Sequence, residues 1–149
     1  MKSYNDYLYE SVSTYNEYKQ MPNEDLDDSI DSVKHLTYHH VRGMLDNKNL
    51  SSVDGIKRLS ARSSDIDDKG LGLLTLHAMN DKDQYHRQQH AYHLVNSGKL
   101  SDIQLKHVAK SALYNEHNKM FDNHLAKKIN SVSKNKDDVS SYIEGLRNQ

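Results

Sequence analysis

Apolar residues recur along most of this chain at intervals of three and four, the spacing that gathers side chains on one face of an α-helix. Leu26, Ile30, Val33, Thr37, Val41 and Met44 make one such stripe, which predicts a single helix opening at Pro22-Asn23 and closing at Asp46-Asn47-Lys48-Asn49. Glu24, Asp25, Asp27 and Asp28 crowd its first turns, where negative charge suits the helix dipole. Ser51 or Ser52 then caps a short helix through Leu59, with Val53, Ile56 and Leu59 facing inward. Residues 60–68 are polar and predict a turn. The most apolar run, Leu71-Gly72-Leu73-Leu74-Thr75-Leu76, has a length that suits a strand or a buried helix. We predict a helix over 66–79, since no other segment offers a strand to pair with it. Gly70 and Gly72 permit a close neighbour, so this is the expected central element.

Downstream, Asn80 or Asp81 caps the next helix, with Gln84 placed to reach back; Asn96-Ser97-Gly98 stops it. Ser101-Asp102-Ile103-Gln104 is a capping-box pattern that starts another helix. Leu105, Val108, Ala109, Ala112 and Leu113 share one of its faces. Phe121, Leu125 and Ile129 fall on a rotated face, which predicts a bend over residues 115–118 or a change of neighbour. After a polar break over 131–138, Val139, Ile143 and Leu146 make a last short helix. The pattern as a whole predicts an all-α protein, a small irregular bundle of about five to six helices with a flexible N-terminal leader. The expected division is residues 1–10 as leader, 11–22 as linker and 23–149 as one helical domain.

Composition narrows the function. The chain has 149 residues, an apolar share of 35%, no cysteine and a net charge of −1. Disulfides and thiol chemistry are therefore excluded, and no run approaches the ~18 apolar residues that span a membrane. Charge is uneven along the chain. From Lys99 to Lys136, eight lysines face Asp102, Glu116 and Asp122, a balance of +5. A basic stretch of this kind can lie along nucleic-acid phosphates without reading sequence, and Lys106, Lys110, Lys119, Lys127 and Lys128 are its candidate DNA contacts.

Ten histidines are the other conspicuous feature. His86, His90 and His93 stand at i, i+4 and i+7, on one helical face, and are a weak candidate for an open transition-metal site. No carboxylate shares that stripe closely, and no His-Glu-x-x-His pattern occurs. An exposed, weakly basic face accounts for them better, and no metal or cofactor is expected. No nucleophile elbow, phosphate loop or dinucleotide glycine pattern occurs either, so no enzyme activity is expected.

The first eleven residues read as an address. Lys2 opens the stretch, Tyr4, Tyr7 and Leu8 form one helical face, and Glu10-Ser11 closes it; a secretory signal is excluded because Asp6 and Tyr9 interrupt the apolar residues. Met1-Lys2-Ser3-Tyr4, the trio Asp6-Tyr7-Leu8 and the ending Leu8-Tyr9-Glu10-Ser11 resemble the capsid-targeting peptide of internal head proteins from T-even-type tailed bacteriophages. The resemblance implies docking through Tyr4, Tyr7 and Leu8 on the phage scaffolding core. It also implies cleavage by the prohead protease at the Leu8-x-Glu10 signal, before Ser11. The body would then stay in the phage head with packaged DNA and pass into the host cytoplasm on ejection, there meeting a host protein. Residues 12–149 resemble no family. The alternative is a small helical phage protein of the cytoplasm that occludes a host partner, with residues 1–10 as its first helix.

Overall fold

A computed structural model describes the backbone of residues 3–149 and the side chains of Ser3 and residues 12–149. Nine α-helices and one two-stranded hairpin are present among these residues. The chain is mostly helical, as expected, with more helices than predicted. It divides into two compact units, Met1–Leu74 and Thr75–Gln149. The physical reason is that each half closes its own core. Leu26, Leu36, Met44, Leu59 and Ile66 are fully buried in the first, and Leu94, Leu105, Leu113, Leu125 and Ile129 in the second.

In the first unit, α1 (Tyr4–Gln20) runs through most of the predicted linker. Tyr18 is 4% exposed and Met21 8%, so this stretch has a buried face. The side chains of Tyr4, Tyr7, Leu8, Glu10 and Ser11 lie outside the described residues, as do Met1 and Lys2 altogether. The single helix predicted over the Leu26 stripe is two: α2 (Asn23–Ser32) and α3 (Tyr38–Leu45). Between them the backbone is extended at Val33 and Thr37 and bends at Lys34 and His35. Leu36 pairs with Ile66 in a parallel bridge, donating to Asp65 O at 2.8 Å and accepting from Asp67 N at 2.9 Å. Leu36 thereby enters the core, while Val33 and Thr37, both β-branched, are only half-buried. Thr37 opens α3 by donating its N–H to His40 Nδ1 at 3.0 Å.

Gly43 explains how closely α1 approaches α3. A Cβ there would stand 2.7 Å from Tyr15 O and 2.9 Å from Tyr18 Cβ. Only a residue without a side chain admits that contact. Ser51 caps α4 (Ser52–Ser60) as predicted, accepting from Asp54 N at 3.2 Å, with Ile56 and Leu59 buried and Val53 half-buried. A 3₁₀ turn, Ser63–Asp65, leads to α5 (Asp68–Met79). The apolar run is indeed helical. It is not buried throughout, because helical spacing turns Leu76 outward, 51% exposed. The unit boundary falls within α5.

In the second unit, Asp83 rather than Asn80 or Asp81 caps α6 (Gln84–Asn96), accepting from Tyr85 N at 2.8 Å. Ser101 and Gln104 form the predicted capping box of α7 (Asp102–Ala112). The predicted bend is a full break. Strands β1 (Tyr114–Asn115) and β2 (Met120–Phe121) pair antiparallel, Tyr114 opposite Phe121. Asparagine chemistry builds the turn: Asn115 Oδ1 accepts from His117 N and Asn118 N, and Asn118 Oδ1 from Met120 N. Asp122 then caps α8 (Asn123–Val132), and Asn135 caps α9 (Lys136–Arg147).

Candidate functional site

The second unit carries a groove of about 570 Å³ where the C-terminal end of α7, the hairpin and the end of α9 meet. Ala109 and Leu113 are buried and supply an aliphatic floor, joined by Leu146. Tyr114 and Phe121 supply aromatic walls, and Lys110, Lys119 and Arg147 supply the charge. No Asp or Glu lines it among the described residues.

Each part is held by identifiable bonds. Gln84, buried on α6, donates its amide to Tyr114 O and accepts from Glu116 N at 2.9 Å, which fixes the first strand and the start of the turn. Asp122 N donates to Leu113 O at 2.7 Å. Lys119 has a left-handed backbone, φ 55°, forced on it by the tight asparagine turn. The Arg147 guanidinium sits 4.3 Å over the Phe121 ring, pairs with Glu144 at 3.2 Å and donates to Asn123 Oδ1. Beside the groove, Tyr92 donates its hydroxyl to Asp122, 2.8 Å from Oδ2. Burial first, and then the carboxylate that needs this proton, push the phenol up to about 12.

The five candidate lysines do not act as one stripe. Lys110 and Lys119 meet at the groove, exposed and without an ion-pair or hydrogen-bond partner among the described residues. Lys106 is engaged elsewhere, 2.6 Å from Asp138 and 5.7 Å from the Tyr142 ring. Lys128 donates to Asn96 at 3.2 Å, and Lys127 is exposed on α8 away from the groove lining. Tyr114, Phe121 and Arg147 went unpredicted. Their signal was faint: an aromatic four residues after Lys110, and a cation outside the span used for the charge balance.

The three histidines of α6 separate by environment. His93 is exposed, His86 half-buried, and His90 only 3% exposed. The carboxylate that the stripe lacks comes from the loop before the helix. Asp81 Oδ2 stands 3.5 Å from His86 Nδ1 and 3.8 Å from His90 Nε2, distances of electrostatic neighbours rather than hydrogen bonds. Both ring nitrogens are buried without a hydrogen-bond partner. Burial holds the His90 imidazole below its usual range, and it outweighs the opposing pull of Asp81. Among the described residues, no group of three His, Asp or Glu side chains can hold a metal ion. His40, against the Tyr18 ring at 4.8 Å, is likewise held low, by burial and then by His39.

Around α1, the anchors are Tyr15, whose hydroxyl donates to Asp46 Oδ2 at 2.6 Å, and Tyr18, packed on Gly43. Asn47, buried, donates to Tyr18 O at 2.7 Å and Met21 O at 2.9 Å, sealing the end of the helix. All of these lie beyond the Glu10–Ser11 bond. Searches against protein-family models, curated proteins and solved structures find no match to this chain.

Proposed function

We propose that this chain is an internal head protein of a T-even-type phage, directed to the assembling head by residues 1–10 and trimmed after Glu10. The single observation carrying this reading is the spaced motif Met1-Lys2-Ser3-Tyr4, Asp6-Tyr7-Leu8 and Glu10-Ser11. The positions of the α1 anchors support it, because Tyr15, Tyr18 and the carbonyls held by Asn47 would all stay with the body after the cut. Trimming removes Lys2, Asp6 and Glu10, one cation and two anions, so the net charge moves only from −1 to 0. The cut therefore releases a tether and leaves the electrostatics of the body alone. The scaffolding core and the prohead protease are the partners of the leader. The trimmed body acts by binding, not catalysis, with DNA in the head and a host protein after ejection.

One observation favours the alternative, a cytoplasmic protein that occludes a host partner. The backbone of α1 is continuous across Glu10–Ser11, as an uncut first helix would be. Mass spectrometry of purified virions separates the two. A peptide beginning at Ser11 supports the head protein, and deletion of residues 2–10 should then keep the chain out of the capsid. Absence from particles, or an uncut N-terminus in mature particles, sinks that reading.

A further inference from the structure

We propose that the groove formed by α7, the hairpin and α9 binds single-stranded nucleic acid, stacking a base on Tyr114 and drawing the adjacent phosphates to Lys110 and Lys119. A single strand presents flat apolar bases in alternation with negative phosphates. Sites that hold it without reading sequence pair an aromatic platform with cations along one groove. Both halves of that arrangement are present here. Tyr114 is 48% exposed although its backbone is pinned by Gln84, so an anchored strand presents a wet ring. Lys110 and Lys119 carry no partner among the described residues, unlike Lys106 and Lys128. The Arg147 guanidinium, 4.3 Å from the centre of the Phe121 ring, adds a planar cation on which a second base can stack.

The aliphatic floor of Leu113 and Leu146 argues against a purely electrostatic ligand. A duplex keeps its bases stacked inside and offers the ring only phosphates. An acidic peptide would satisfy the lysines and leave Tyr114 without a flat partner. This inference concerns the second unit, whereas the head-protein reading rests on residues 1–11, so either can fail alone.

The test uses the full chain and a labelled oligo-dT of about a dozen nucleotides, read by fluorescence anisotropy at low salt. Binding is expected, and Tyr114→Ala should weaken it roughly fivefold to a hundredfold, the range for losing one stacked base. Tyr114→Phe should restore it, since the ring and not the hydroxyl is used. Lys110→Glu with Lys119→Glu should weaken binding at least ~tenfold and flatten the slope of log K against log salt by about 1.4, two phosphates' worth on a single strand. Circular dichroism confirms that each variant keeps its helices. The inference is overturned if oligo-dT does not bind, if the variants bind like the parent, or if a duplex of equal length or poly-glutamate binds as tightly.

Discussion

At the end of α2, a guanidinium from a distant part of the chain closes the helix: Arg62 donates to Ile30 O at 2.7 Å and to Val33 O at 2.6 Å. At the starts of α7, α8 and α9, the same task of satisfying orphan backbone groups falls to the residue next door: Ser101, Asp122 and Asn135. The first unit also caps α4 locally, at Ser51, so the contrast lies in how its helix ends are closed. In the first, Asn47 seals α1, Arg58 donates to Asn23 at 2.9 Å, and Arg62 seals α2. In the second, the caps are local, supplemented by Asp102, which accepts from Lys134 N and Asn135 N at 2.9 Å. Those two backbone bonds hold the Asp102 carboxyl below the usual range. A helix closed by its own neighbours can form early and independently. A helix closed by a side chain far along the chain is complete only when the whole unit is.

The largest effect that would break this comparison is at Arg62. Arg62→Ala leaves Val33 O without its donor and Ile30 O with only the Val33 N–H at 3.0 Å, and removing both charged bonds should cost about 3 kcal/mol in chemical denaturation. Arg62→Lys should recover only part of it, since one ammonium cannot reproduce the fork. A loss no larger than a single cap would remove the distinction. Next is Gly43→Ala, expected to cost about 2 kcal/mol because the added Cβ meets the backbone of α1, which cannot rotate away. The urea midpoint reads this loss. Ser101→Ala and Asn135→Ala should each cost about 1 kcal/mol, the ordinary worth of a local cap.

The smallest effects are in pH. His90 and His40 are held low by burial, so the unfolded chain takes up protons that the folded chain refuses. Stability contributed by the neutral rings is present above the ordinary histidine range and is lost as pH falls through it. Denaturation midpoints should therefore drop between pH 7 and pH 5.5. Asp81→Asn should steepen the drop, because it removes the charge that favours His90 protonation; a flatter profile would refute that role. Tyr92 runs the other way. Its proton is retained to about 12, so its contribution fades as pH rises above the ordinary phenol range, and an ultraviolet titration of Asp122→Asn should show the phenol ionising earlier.

The same contrast governs what could be read from sequence. Ser51, Ser101 and Gln104 announced their helices because a cap and its helix are adjacent. The Leu26-to-Met44 stripe misled because periodicity cannot register a bridge to Ile66 or a guanidinium from Arg62, and these take residues 33–37 out of the helix. Asn115 and Asn118 marked the break after α7 correctly in place but not in kind, since two-residue strands leave no periodic trace. Of the groove, Lys110 and Lys119 were visible as charges. Tyr114, Phe121 and Arg147 join them only through the hairpin and the far end of α9, and Asp81 joins the histidines only through a loop.

The unbroken backbone of α1 across Glu10–Ser11 bears on timing. Endoproteases grip their substrates stretched out, so a peptide bond wound into a helix is shielded until the surrounding turns open. Under the head-protein reading, maturation of this chain would begin with a melting step, and its pace would follow the frequency of that opening once protease is plentiful. A leader stiffened by helix-favouring substitutions outside the recognition signal would then ripen late, still bearing its address after its neighbours had shed theirs.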